Sequence, residues 1–289
     1  MSLVMEEFFL KFGKFDLHLV SDGNFWLDGG AMFGVVPRIL WEKKTTADEK
    51  NRIRLGLNCL LVRTGSHNVL IDTGCGEKYT EKEVRIYRIE HDVTLQGQLA
   101  RLGLTTSDID IVLNTHFHFD HCGGNTCCDG NLIVPTFPKA EYVVRAEEYE
   151  DASVPNERSA ASYYEHNWAV LRQRHMLRLA EEDEEILPGI RLLHTPGHTR
   201  GHQSVLIESE GRSLLFMADL CPTSAHIPLP WIMAYDLYPM TTLEVRKDIY
   251  QRAVAGNWLL LFEHDPHQPA GYLQEAEGKY LLAPFAWQD

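Results

Sequence analysis

The 289-residue sequence has no apolar run approaching the roughly 18 residues that a membrane span needs. It is therefore read as a chain with no spanning helix. Met1 to Phe12 mixes Glu6, Glu7 and Lys11 with apolar residues and lacks the basic-then-apolar order of a signal peptide. Met1-Ser2-Leu3 reads equally well as an appended leader before a start at Met5. The expected compartment is the cytoplasm. Positive charge is scarce. There are 27 Lys and Arg against 41 Asp and Glu, a net charge of −14, and the basic residues form no stripe. Such a surface repels phosphate backbones, so nucleic acid is not expected as a partner. No internal repeat and no Pro/Gly/Ser-rich linker divides the chain, so 1–289 is taken as one domain. The six cysteines, at 59, 75, 122, 127, 128 and 221, match no zinc-finger spacing and are expected as free thiols.

What is present is an ordinary globular composition, 44% hydrophobic and 24% charged. Phe15 to Val20 alternates and reads as a strand ending at Ser21-Asp22-Gly23. Leu57 to Arg63 and Asn68 to Asp72 form a hairpin around Thr64-Gly65-Ser66-His67. Val93 to Leu102 has Leu95, Leu99 and Leu102 at helical spacing, and Gly103 stops it. Ile109 to Leu113 is a short apolar strand. Ala161 to Ala180 has no Gly or Pro and is expected to be helical, and Glu181 to Glu185 is read as a solvated acidic run. Strands return at Ile190 to His194, Ser204 to Glu208 and Ser213 to Met217, the last two joined by a Ser209-Glu210-Gly211-Arg212 turn. Leu243 to Ala255 reads as a helix and Trp258 to Phe262 as a last strand. Two strand-rich halves with helices fit two sheets face to face with helices outside. The hairpins argue against a doubly wound parallel sheet.

The chemistry is concentrated in His116-Phe117-His118-Phe119-Asp120-His121. On extended backbone, His116 and His118 point the same way and can bind one ion together. A turn after them would aim Asp120 and His121 at a second ion nearby. Imidazole and carboxylate are the donors expected for zinc and similar divalent metals. Later strand ends repeat the pattern. His194-Thr195-Pro196-Gly197-His198 offers His198 from a tight turn, Asp219 follows the strand ending at Met217, and His264 follows the strand ending at Phe262. His194, His202 and His267 lie off the pattern and are read as structural. Cys221 is read as a small buried hydrophobe.

This His-x-His-x-Asp-His run, followed in order by His198, Asp219 and His264, resembles the metallo-β-lactamase-fold hydrolases. Leu70-Ile71-Asp72-Thr73-Gly74 is similar to their early strand-turn element, and the likeness runs over about residues 15–266. The resemblance implies a mixed α/β (α+β) four-layer αββα sandwich with a dinuclear site at one edge of the sheets. His116, His118 and His198 would hold one divalent ion, Asp120, His121 and His264 the second, and Asp219 would bridge both. The ions would be zinc, with manganese, cobalt or iron as alternatives. A bridging hydroxide would serve as nucleophile, and Asp120 would orient it and pass a proton to the leaving group.

Within that superfamily the residues narrow the choice. Cysteine-ligand β-lactamases need Cys where Asp219 stands, and flavodiiron proteins need Glu where His118 stands. Glyoxalase II-like thioesterases carry an added basic C-terminal domain, and ribonuclease Z-like enzymes need a basic surface. The remaining likeness is to acyl-homoserine lactone lactonases and methyl-parathion-hydrolase-like enzymes. A lactone or carboxylic ester with an apolar group is thus the expected small-molecule substrate. Two apolar stretches, Asn24 to Trp41 and Pro228 to Tyr235, would wall its pocket or form a homodimer contact. The first is too rich in Gly for a helix. Phe33, Phe119, Trp231 and Tyr235 are the expected substrate-binding residues. One departure is Pro222, where the lactonases place a Tyr that helps to bind the carbonyl; Tyr235 or Tyr238 would have to replace it. That leaves an arylesterase or organophosphate hydrolase as the alternative. A mononuclear iron sulfur dioxygenase and a non-catalytic metal-binding module are the other classes, and the full second-ion set opposes the former.

Overall fold

The computed structural model describes residues 8–286, so the reading of Met1-Ser2-Leu3 lies outside the described residues. The first half builds strands β1 (Phe8–Phe12), β2 (Phe15–Asp28), β3 (Arg52–Arg63), β4 (Asn68–Ile71), β5 (Ile111–Leu113), a separate hairpin of β6 (Thr126–Asp129) and β7 (Leu132–Pro135), then β8 (Glu141–Arg145) and β9 (Leu177–Ala180). The second half builds β10 (Glu185–Leu187), β11 (Ile190–His194), β12 (Gln203–Ser209), β13 (Arg212–Phe216), β14 (Leu259–Leu261), β15 (Ala270–Ala276) and β16 (Lys279–Pro284). One seven-stranded sheet runs β1-β2-β3-β4-β5-β8-β9 and the other runs β10 through β16 in chain order. Antiparallel hairpins begin both sheets. Parallel pairs, β4 with β5 and β13 with β14, lie where helical crossovers intervene.

The alternation of side chains along each strand makes four layers. On β4, β5, β12, β13 and β14 the residues Val69, Ile71, Ile111, Leu113, Val205, Ile207, Leu214, Phe216, Leu259 and Leu261 face the other sheet in one core. Their neighbours point outward. Leu70, Val112, Tyr142 and Val144 join Leu95 and Leu99 beneath the helix Leu95–Arg101. Leu206, Leu215 and Leu260 join Ile249, Tyr250 and Ala253 of the helix Pro239–Gly256. The αββα sandwich thus buries both faces of both sheets. Each Leu, Ile or Val so enclosed contributes roughly 1.5–3 kcal/mol of transfer free energy.

Several expectations change in the structure. β2 does not end at Ser21-Asp22-Gly23 but shifts register there, pairing Ser21 with Asn58 and Asn24 with Gly56. The one extra residue on β2 forms a bulge, and the strand continues to Asp28. Ala161 to Ala180 is not one helix. It holds a bridge between Tyr163 and His118, a 3-10 turn Glu165–Asn167, a short helix Ala169–Gln173 and then β9. The residues it buries, Tyr163, Trp168, Leu171 and Leu177, keep no continuous helical period, and Trp168 is instead stacked on Phe117. Freedom from Gly and Pro permits a helix but does not demand one. Conversely, Gly29–Phe33 is a short helix despite its glycines, because the Asp28 carboxylate caps it at the Ala31 N–H (2.9 Å). The acidic run 181–185 is partly paired, with Asp183 on Arg145 and Glu184 on Arg178. All six cysteines are free. Among the described residues no helix is long and apolar enough to cross a membrane.

Candidate metal centre

The motif sits where β5 leaves the sheet. Its first half stays extended, and a single helical turn, Phe119–Cys122, follows with His118 as its N-cap residue. That turn swings Asp120 and His121 away from the direction of His116 and His118. The following Gly123 has no room for a side chain, since a Cβ there would run into the Cys75 carbonyl. Gly123→Ala is expected to destabilise the fold by at least about 2 kcal/mol, in the range of core overpacking, as read by chemical denaturation.

The other predicted donors arrive from the second sheet. His198 lies on the loop after β11, Asp219 on the 3-10 turn Ala218–Leu220 after β13, and His264 beyond β14. The structure brings all seven together and buries them. Ligand-type atoms of His116, His118 and His198 lie within 4.8 Å of one another, as do those of Asp120, His121 and His264. Asp219 touches both groups. Its Oδ2 is 3.0 Å from His198 Nε2, and its Oδ1 is 3.2 Å from His264 Nε2.

The orientation of the rings tests whether cations fit. Thr115 donates its hydroxyl to Asp72 (2.6 Å), so it accepts from His116 Nδ1 (3.0 Å). His121 Nδ1 faces Asp72 (3.1 Å) and Glu263 (2.9 Å). His198 Nδ1 donates to Asp236 (3.0 Å), and His264 Nδ1 to the Gly56 carbonyl (2.9 Å). In each ring the proton is drawn outward and the Nε2 lone pair points inward. His121 and His264 then face each other, Nε2 to Nε2, at 3.1 Å. His198 Nε2 faces His118 Nδ1 at 2.9 Å. His116 Nε2 and Asp219 Oδ1 are buried without a hydrogen bond. Convergent lone pairs and unpartnered acceptors repel one another unless positive charge lies among them. The donor set therefore fits divalent cations, with nitrogen and carboxylate donors of the kind zinc accepts.

The electrostatics agree. Burial pushes His116 and His118 well below the usual imidazole value, reinforced by the neighbouring rings. Burial also opposes charge on His121, His198 and His264, but the surrounding carboxylates outweigh it and raise all three. Burial works against charge on Asp219 too, yet His198, His264 and His121 hold its carboxyl well below the ordinary range. Burial, and then Asp72, push Glu263 well up.

The supporting residues were not visible as such in the sequence. Asp236, Glu263 and Glu148 fall in no motif, and only Asp72 lay in a recognised element. Their signal is tertiary: each meets a motif from a distant part of the chain. The fully buried Glu148 accepts from Phe117 N–H (2.9 Å), Tyr163 O–H (2.9 Å) and Thr199 O–H (2.6 Å). It thus ties the His116–His118 segment to the His198 loop. Among the off-pattern histidines, His202 is a support. Its Nε2 accepts from the Asp219 N–H (3.2 Å) and its Nδ1 donates to the Thr195 carbonyl (2.9 Å). Burial brings its pKa down to about 3, so the ring stays neutral. His194 bonds the Arg200 carbonyl, and His267 is outside the donor groups. Cys221 points into the core, where Tyr250 donates to its sulfur (3.4 Å).

A cavity of about 340 Å³ opens over the donors. His118, Asp120, His198, Asp219 and His264 form its floor, and Leu27, Met32, Leu55, Phe119, Met233 and Leu237 its apolar walls. Of the four side chains read as substrate-binding, Phe119 and Tyr235 line it. Phe33 and Trp231 do not. Phe33 is fully buried, stacked between Trp41 (5.3 Å) and His226 (4.6 Å), and Trp231 packs edge-on against it. The short helix Gly29–Phe33 turns Met32 to the cavity and Phe33 into the core behind it, which residue type alone could not decide.

A two-sheet sandwich with a buried His/Asp cluster at its edge carries donors of the kinds that hold divalent metal. A family model described as the metallo-beta-lactamase superfamily matches residues 52–267, and the chain belongs to that superfamily. An N-acyl homoserine lactonase from Bacillus sp. is 32% identical over 164 residues, covering 53% of this chain and 58% of the relative. One from Bacillus cereus is 30% identical over 187 residues, covering 60% and 66%. The match therefore spans less than two thirds of either relative. Among solved structures, a probable metal-dependent hydrolase from Staphylococcus aureus has a TM-score of 0.87 at 35% identity, covering 96% of this chain and 100% of that one. A dizinc quorum-quenching lactonase in complex with a product has a TM-score of 0.80 over 97% of this chain and 98% of its own. At 19% identity that likeness is one of fold.

Proposed function

We propose that this chain is a dinuclear metallohydrolase that opens lactones or cleaves related carboxylic esters carrying an apolar group. The observation that carries the reading is a cluster of seven donors, five of which floor an apolar-walled cavity. His116, His118 and His198 would hold one divalent ion, Asp120, His121 and His264 the other, with Asp219 shared. Zinc suits these donors, and manganese, cobalt or iron would also be accepted. When bound, such ions supply Lewis acidity and a water acidic enough to act as nucleophile near neutral pH. The chain's own part is positioning. Leu27, Leu55, Phe119 and Met233 take the apolar group and exclude water. Asp72, Asp236 and the Gly56 carbonyl fix the rings by their Nδ1 protons. Asp120, at the cavity floor, would accept a proton and return it to the leaving oxygen. A homodimer is part of the same reading, with Val35, Ile39 and Leu40 the exposed apolar side chains of the 24–41 stretch; light scattering checks it.

The test is metal content together with hydrolysis of an acyl-homoserine lactone and a p-nitrophenyl ester, before and after chelation. Two ions per chain are expected, with turnover abolished by chelator and restored by zinc. Ester turnover without lactone turnover would move the assignment to an arylesterase. Metal bound tightly with no turnover on either would overturn the hydrolase reading.

A further inference from the structure

We propose that a second cavity, beside the segment that follows the metal motif, binds a small oxyanion, a carboxylate or a phosphate. Its volume is about 300 Å³, close to that of the cavity over the donors, and the two share no lining residue. Gly124 and Thr126 of that segment line it together with Thr73, Lys78 and Thr136. The inference stands apart from the hydrolase reading. Lys78 supplies the charge. Its Nζ donates to the Gly123 carbonyl (2.5 Å) and the Thr126 carbonyl (2.6 Å), which leaves one of its three N–H donors over. Among the described residues no carboxylate is ion-paired with it. A part-buried ammonium that meets only neutral carbonyls lacks a counter-charge.

The carboxylates of the lining do not supply that counter-charge. Asp22 spends its two oxygens on the Gly76 N–H (2.8 Å) and the Leu95 N–H (3.0 Å), and burial raises its pKa. Glu77 is exposed. Burial also lowers the Lys78 pKa, an effect that an anion beside it would offset. Thr136 is the second, independent mark. It lines the cavity, is 6% exposed and gives its N–H to the Asn125 carbonyl (3.0 Å), yet its hydroxyl oxygen is buried with no hydrogen-bond partner. Buried hydroxyls are rarely left so, and an exception points to a missing partner. Thr94 lines the same cavity and accepts the Gly97 N–H (3.1 Å), so its own proton remains to be given. An ammonium N–H and two hydroxyl protons are all donors, and an oxyanion is a ligand that only accepts. The volume lies at the small end for ligand pockets, which limits the anion to a few heavy atoms.

Calorimetric titration of inorganic phosphate and of succinate into the zinc-loaded protein tests the proposal, with sodium chloride of equal ionic strength as the reference. Saturable binding of at least one is expected. Phosphate alone would assign a phosphate-bearing ligand, and succinate alone a carboxylate. Lys78→Met keeps the stem and removes the charge, and Thr136→Val keeps the shape and removes the hydroxyl. Each should weaken binding about tenfold or more, the usual worth of a hydrogen bond to a charged group. An anion that also meets the metals adds a second binding event. Asp219→Ala should remove that event and keep the Lys78-dependent one within twofold of wild type. No saturable binding of either anion overturns the proposal, as does affinity within twofold of wild type in either cavity variant. Binding lost in Asp219→Ala and kept in Lys78→Met would place the anion on the metal centre and overturn it too. If Lys78→Met fails to fold, Thr136→Val decides alone.

Discussion

Asp219→Ala is expected to reduce bound metal from two ions per chain to one or none and to lower hydrolysis by roughly 10³-fold or more, since ion-derived transition-state stabilisation is worth several kcal/mol and each 1.36 kcal/mol is tenfold. Among the described residues Asp219 is the one carboxylate in contact with donors of both groups, at 3.0 Å from His198 and 3.2 Å from His264. It also lies 3.6 Å from His121 Nε2. Its loss would remove the proposed shared ligand and a negative charge that touches inward-facing rings of both groups. Metal analysis by mass spectrometry and ester assays with added zinc check both parts. His118→Ala, which removes a donor from one group only, should lose one ion. Full metal content and full activity in that variant would end the dinuclear reading.

Glu148→Ala should act at a distance, through the two loops that Glu148 joins. It leaves three buried donors, on Phe117, Tyr163 and Thr199, without an acceptor. At 1–3 kcal/mol for each unsatisfied group, a destabilisation of about 3 kcal/mol or more is expected. That corresponds to a fall in Tm of about 6–12 °C for a chain of this size. Metal affinity should drop by about 10–100-fold, the usual effect of removing a group that orients ligands. Glu148→Gln should recover part of both, because its amide oxygen still accepts.

The pH dependence separates the acid from the amide. Burial raises the Glu148 pKa above the ordinary 4.5, against the pull of its hydrogen bonds. The folded state therefore holds the proton more tightly than the unfolded chain. Its contribution to stability is complete below 4.5 and is lost as pH rises from there through the raised value. Glu148→Gln should lack that component of the stability profile, as read by urea titrations across pH. A wild-type profile identical to that of Glu148→Gln would show that the side chain does not titrate in this window.

The legible part of this molecule was whatever depends on neighbours in the chain. Six residues, His116 to His121, suffice to bring four donors together, because extended backbone followed by one helical turn aims them in two directions. The hairpins at 64–67 and 209–212 were readable for the same reason: Glu210 and Gly211 both adopt positive φ, which a tight two-residue turn requires. Apolar runs that stop placed the strand end at 194 to the residue, and those read at 217 and 262 fall one residue past the observed ends at Phe216 and Leu261. Where local signals were only permissive, the reading failed. Ala161 to Ala180 is broken by contacts of Tyr163 and Trp168 with the motif loop, and Gly29–Phe33 is helical through a cap that its composition did not suggest.

Periodicity and short spacing thus determined the layers and marked the strand-end donors, while the division of those donors into two groups came from the resemblance to the metallo-β-lactamase-fold hydrolases. Only the tertiary structure decided which groups stand behind and above them. Glu148 meets Phe117 and Thr199, Asp236 meets His198, and Glu263 meets His121 across separations that no local pattern encodes. It also decided that Met32 and Tyr235 face the cavity while Phe33 and Trp231 fill the core behind it. An apolar side chain gains similar free energy by burial in either place, so only the path of the backbone can distinguish a pocket wall from a core.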